Sequence, residues 1–173
     1  MFYDKKRFIL SEVVNLTDER CDVITDLLNK LFEQEGVPYI ILRDISKSWF
    51  LSLPVLGNGI FWTVLLLQEV LRSQPSIGYR IISSGIAGQT YDTLGAAIVL
   101  SKSDIISFAD VVHCYCLEND LTGKKMKTEY FRIILRKAGM LEGNELIYNL
   151  HKALKDYRFA FTDENKMIKI LER

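Results

Sequence analysis

The chain has 173 residues and a mass of 20.0 kDa, enough for one hydrophobic core and one ordinary domain. Apolar residues make up 49% and charged residues 25% of the sequence, a balance that excludes a disordered tail. Lys plus Arg and Asp plus Glu both number 22, so the molecule as a whole has no net field to draw in nucleic acid or anionic lipid, and neither is an expected partner.

Phe8 to Leu16 is an apolar, β-branched run that reads as a strand. Thr17 can N-cap a helix with Asp18 and Glu19 in its first turn, and Gly36 can close it. Between them Val23, Ile24, Leu27, Leu28, Leu31 and Phe32 recur at helical spacing. Pro38 to Ile45 and Ser48 to Pro54 read as two strands of a hairpin turning at Ser46 and Lys47, followed by a buried helix over Ile60 to Leu71. Tyr79 to Ile86 is a further strand. Asp92 or Thr93 can cap a third helix running through Ile106, and Val111 to Leu117 reads as another strand.

Beyond Thr122 the pattern is mixed: Met126 to Ile134 fits a strand, and Phe131, Ile134, Leu135 and Ala138 fit a helical stripe. Asn144 can cap a helix carrying Leu146, Ile147, Leu150, Ala153 and Leu154. A final hairpin pairs Tyr157 to Phe161 with Met167 to Leu171 around Asp163, Glu164 and Asn165. The expected fold class is α+β, with a core over 1–121 and an extension over 122–173 packed on the same domain. Val13, Leu27, Leu31, Phe50, Leu66, Ile81 and Leu100 are expected to share one core.

The three cysteines are odd in number. Cys114 and Cys116 would share one strand face, with His113 on the other, which suits buried thiols better than a zinc site. The opening Met-Phe-Tyr-Asp-Lys-Lys places charge where a signal peptide turns apolar, so the cytoplasm is the expected location. From Ser48 to Gln68 there is no formal charge, but Pro54, Gly57, Asn58 and Gly59 interrupt the run, which argues against a membrane span.

Leu10-Ser11-Glu12-Val13-Val14-Asn15-Leu16-Thr17 resembles the opening Phe-x-Asp-Ile-x-x-Phe-Thr strand of class III nucleotidyl cyclases. Tyr91-Asp92-Thr93-Leu94-Gly95 through Val99, Leu100 and Ser103 resembles their Tyr-Asp-x-x-Gly-x-x-Val-Asn-Leu-Ala-x-Arg run. The resemblance implies a ferredoxin-like β-α-β-β-α-β core with a helical and hairpin C-terminal extension. It puts Glu12 at the first metal carboxylate, Lys47 at the second, Val99 at the ribose-orienting Asn and Ser103 at the phosphate-neutralising Arg. Asp92 matches a base-recognising position, and Asn15 and Thr17 would border the nucleotide. Lys47 cannot ligate a metal, and Val99 and Ser103 can do neither job of their counterparts.

The expectation drawn from this is a catalytically inactive cyclase-like domain acting as a regulatory, nucleotide-sensing or dimerisation module. It would pair with itself or with a related chain, and would need no cofactor beyond Mg or Mn accompanying a bound nucleotide. The alternatives are a protein-interaction domain without nucleotides and an active nucleotidyl cyclase.

Overall fold

Thr17 opens the first long helix, α1 (Asp18–Glu35): its hydroxyl accepts from the Arg20 amide at 3.4 Å. Gly36, at φ 64°, closes it by donating to the Phe32 carbonyl at 2.9 Å. The computed structural model describes residues 2–4, 7–8, 14–84, 96–141 and 150–172. Ahead of α1, β1 (Phe2–Asp4) and β2 (Arg7–Phe8) form an antiparallel pair. The strand expected to reach Leu16 does not extend through Asn15, whose φ of 47° is left-handed.

The hairpin expected at Ser46 and Lys47 is instead a helix. After β3 (Tyr39–Ile41), the Ser46 hydroxyl accepts from the Trp49 amide at 3.2 Å and starts α2 (Lys47–Ser52). The polar pair marks an N-cap rather than a turn. Thr63 caps α3 (Val64–Ser73) in the same way at 3.1 Å. No helix among the described residues is long and apolar enough to cross a membrane.

β4 (Tyr79–Ile82) and β5 (Ala97–Leu100) complete a three-stranded sheet of order β3-β5-β4, antiparallel throughout. β3 and β4 therefore run parallel, joined through α2 and α3, with β5 inserted between them as in a split β-α-β unit. The ferredoxin-like arrangement needs a fourth strand, and this sheet has none among the described residues. The helix expected through Ile106 is replaced at 97–100 by β5, where the consecutive Ile98 and Val99 favour extended backbone. The part of that expectation over 85–95 lies outside the described residues.

The expected strand at Val111 to Leu117 is a helix, α4 (Phe108–Glu118). Ser107 and Asp110 form a reciprocal capping box at its start, and apolar residues on nearly every side disguise its period. Cys114 and Cys116 consequently do not share a face: Cys116 is buried and Cys114 half-buried, and Cys21, Cys114 and Cys116 are all free thiols.

β6 (Lys125–Lys127) and α5 (Thr128–Lys137) follow directly, so the mixed pattern there reflects a strand running into a helix. α6 (Leu150–Ala153) is the end of the helix expected from Asn144, whose earlier part lies outside the described residues. The final hairpin forms as expected from β7 (Phe159–Thr162) and β8 (Met167–Ile170), with Asp163, Glu164 and Asn165 at positive φ in its turn. This second antiparallel sheet has the order β6-β8-β7.

Alternation along β5 divides the interior. Ile98 faces α1 and α3, with Ile24, Leu28 and Leu66. Ala97 and Val99 face Phe131, Leu135 and Leu154 of the C-terminal elements. Leu27, Leu31, Phe50, Leu66 and Ile81 join the first group as expected, whereas Leu100 is 43% exposed at the strand end and Val13 lies outside the described residues. Each fully buried Leu or Ile contributes about 1.5–3 kcal/mol, so both sides of the small sheet help to hold it in place.

Candidate functional site

The positions singled out by the cyclase resemblance do not converge among the described residues. Lys47 occupies the first turn of α2, exposed, where a strand hairpin was expected. Val99 is fully buried in β5, turned toward the C-terminal elements. Val14 and Leu16, which flank Asn15, pack in the core on the other side of the sheet. Thr17 is the α1 cap, and the Asn15 carbonyl accepts from Arg20 Nη1 at 2.6 Å. Ser103 lies in the turn after β5, its hydroxyl donating to the Leu100 carbonyl at 2.8 Å while its own carbonyl accepts from Arg80 Nη2 at 3.1 Å. Glu12 and Asp92 lie outside the described residues. Among the described residues no three His, Cys, Asp or Glu side chains group closely enough to hold a metal ion.

A different set of polar groups gathers at the C-terminal elements. β6 leads straight into α5, and the Thr128 amide donates to the Lys166 carbonyl at 2.9 Å, which presses the β7–β8 turn against the start of α5. Between them is a cleft of about 440 Å³ bordered by Lys127, Thr128, Glu129, Arg132 and Asn165 to Met167. The other side of the same turn borders a second cleft of about 390 Å³, shared with His151, Lys155 and Tyr157 at the end of α6. The hairpin turn thus stands between the start of one helix and the end of the next.

Arg132 is only 4% exposed and pairs through Nη1 with Glu129 at 2.8 Å, which leaves its buried Nε without a partner. Burial pulls this guanidinium below its ordinary pKa, and Glu129 partly offsets that. The buried Thr128 hydroxyl also lacks a partner. On the sheet surface above, Lys125 stands directly opposite Lys169, and neither it nor Lys127 forms an ion pair among the described residues. Like charges directly opposite on a sheet oppose folding.

The rear of the unit is fixed by charge. Arg158 bonds Asp110 of α4 at 2.5 Å and Asp156 at 2.5 and 2.8 Å, and the His113 ring lies 3.2 Å from the Leu171 carbonyl. Asp156 is held below the usual carboxylate range by its hydrogen bonds to Arg158. Asp110 is held low although burial pushes it up, because Arg158, Ser107 and two backbone amides together outweigh burial.

The chain matches no protein-family model, no curated protein and no solved structure.

Whole-chain charge conceals it. Residues 121–173 carry twelve Lys and Arg against seven Asp and Glu, while residues 1–120 carry ten against fifteen. Counting the two segments separately is the signal that would have pointed to the C-terminal segment holding Lys127, Arg132, Lys152, Lys155 and Lys166.

Proposed function

We propose that the chain is a DNA-binding regulator whose C-terminal unit docks on duplex DNA and whose N-terminal α/β layer modulates that docking. The observation that carries this reading is the order α4-β6-α5-α6-β7-β8 together with the sheet order β6-β8-β7. That is the element order of a winged helix-turn-helix, in which α5 and α6 take the places of the two helices and the β7–β8 hairpin that of the wing. A major groove admits an α-helix or a two-stranded ribbon, whereas the deep, narrow major groove of duplex RNA admits neither.

Charge supports the same partner. Lys152 and Lys155, at and just beyond the end of α6, are exposed, as is Lys166 in the hairpin turn. The surplus of positive charge over 121–173 is of the kind that phosphate contacts require. The regulatory part of the reading rests on the contact between the α/β layer and the segment after α5, where Arg43 bonds the Gly139 carbonyl.

Fluorescence polarisation with a labelled mixed-sequence duplex, run as a salt series, tests the reading. The expected result is dissociation on the order of 10⁻⁴ to 10⁻⁶ M at physiological salt, tightening steeply as salt is lowered. An absence of binding at about 50 mM salt would remove the proposal.

A further inference from the structure

α5 begins without a side-chain cap: Lys127 occupies the capping position and cannot accept from the first-turn amides of Glu129 and Tyr130. Beside those amides are two further donors with nothing to donate to, the Thr128 hydroxyl and Arg132 Nε, both buried and both on residues that border the cleft under the hairpin turn. A buried donor without an acceptor costs on the order of 1–3 kcal/mol, more when it is charged. Two such donors at one helix start call for an acceptor with several oxygens and a negative charge.

Lys127 and Lys166, both exposed at the rim, add positive charge. Lys166 is shared with Glu164 at 3.2 Å on the surface, where such a pair is readily exchanged. Glu129 is the one carboxylate in the lining. It is 67% exposed and holds only Nη1 of Arg132, which leaves the buried Nε without an acceptor.

We propose that this cleft is a phosphate site, in which Arg132 Nε and the Thr128 hydroxyl donate to a tetrahedral oxyanion at the start of α5. Lys127 and Lys166 supply charge at its rim. The assignment deepens the DNA-binding reading and rests on it for the source of the anion, a backbone phosphodiester. Inorganic phosphate offers the same tetrahedral oxygens and serves as the probe.

Two titrations of the full chain separate the site from its source. In the first, inorganic phosphate is added while amide NMR signals are followed; Glu129 and Tyr130 are expected to shift together in a saturable way. Arg132→Gln weakens the response by about tenfold or more, the scale of losing a hydrogen bond to a charged group. The exposed pair Lys127→Gln and Lys166→Gln weakens it severalfold and leaves the fold intact. Glu129→Gln tightens it, because it removes a repelling charge, an effect that a merely structural role for this cluster would not produce. In the second titration, the same variants are measured on duplex DNA, and Arg132→Gln and Lys166→Gln each reduce the salt slope by about one.

Phosphate binding with these variant effects, in a chain that binds no duplex, keeps the anion site and removes the DNA reading. Duplex binding whose affinity and salt slope ignore all four substitutions, with no phosphate response at Glu129 and Tyr130, overturns the site and leaves the DNA reading standing.

Discussion

Arg43 donates a hydrogen bond through Nη1 to the carbonyl oxygen of Gly139, joining the end of β3 to the segment after α5 across 96 positions of sequence. Gly139 has φ 71°, and a Cβ there would come within 3.0 Å of Ile41 Cγ2 and 3.5 Å of Arg43 Cβ. The glycine is needed both for its left-handed backbone and for the close approach of the two layers. Gly139→Ala is expected to lower stability by about 1–3 kcal/mol, read from urea denaturation. An unchanged midpoint would show that the two layers are not held together at this point.

The Asp110–Arg158–Asp156 cluster predicts how stability responds to acid. Both carboxyls have folded values below the ordinary 3.8, Asp156 chiefly through its bonds to Arg158 and Asp110 through Arg158, Ser107 and backbone donors acting against burial. A depressed carboxyl contributes stability that is fully present above its unfolded value and is lost as pH falls through the folded value. The chain should therefore lose stability progressively below about pH 4. Arg158→Gln should lower stability at pH 7 by about 2 kcal/mol and flatten that acid limb. Thermal melts between pH 7 and pH 3 measure both; an acid limb as steep in the variant as in the parent chain would show that other carboxyls carry it.

The elements legible in the sequence were those whose signal is local. Thr17 and Gly36 bracket α1, and the Asp163-Glu164-Asn165 turn marks the last hairpin, because caps and turns are set by the residues that make them. Ser46 was misread because a serine before an apolar run suits a turn and an N-cap equally, and only the Trp49 amide decides between them. Val111 to Leu117 was misread because α4 is buried nearly all round, which erases the period that separates helix from strand. Arg132 and Thr128 gave no signal at all: neither belongs to a motif, and their significance arises from burial beside a turn more than 30 residues later in the chain. The opposite charge balance of residues 1–120 and 121–173 was present in the sequence but vanished in the whole-chain sum.

The geometry also bears on turnover. Val99, at the position where cyclases orient the ribose, is 0% exposed, and Lys47 occupies the first turn of a helix. Removing one electrostatic contact to a transferring phosphate costs on the order of a hundredfold in rate, so losing several leaves nothing measurable. Nucleoside triphosphates incubated with the chain and Mg²⁺ or Mn²⁺ are expected to yield no cyclic product by chromatography. A metal-dependent product abolished by Glu12→Ala would reverse this and favour the active-cyclase alternative.

The last prediction separates docking by the helix-turn-helix from general attraction of DNA to a basic surface. Lys152 and Lys155 are exposed at and just beyond the end of α6, and Lys155 borders the cleft on the other side of the hairpin turn from Lys127 and Arg132. If both helices and the hairpin meet one duplex, lysines at α6 contact phosphates and release counterions, while the exposed Lys30 of α1, remote in sequence and packed in the other layer, does not. Lys152→Ala and Lys155→Ala should each weaken duplex binding at all sequences and reduce the slope of log affinity against log salt by about one, whereas Lys30→Ala should leave the slope unchanged. Equal losses at all three positions would mean that the chain attracts DNA only as a diffuse charge, and the proposed helix-turn-helix would then have no part in binding.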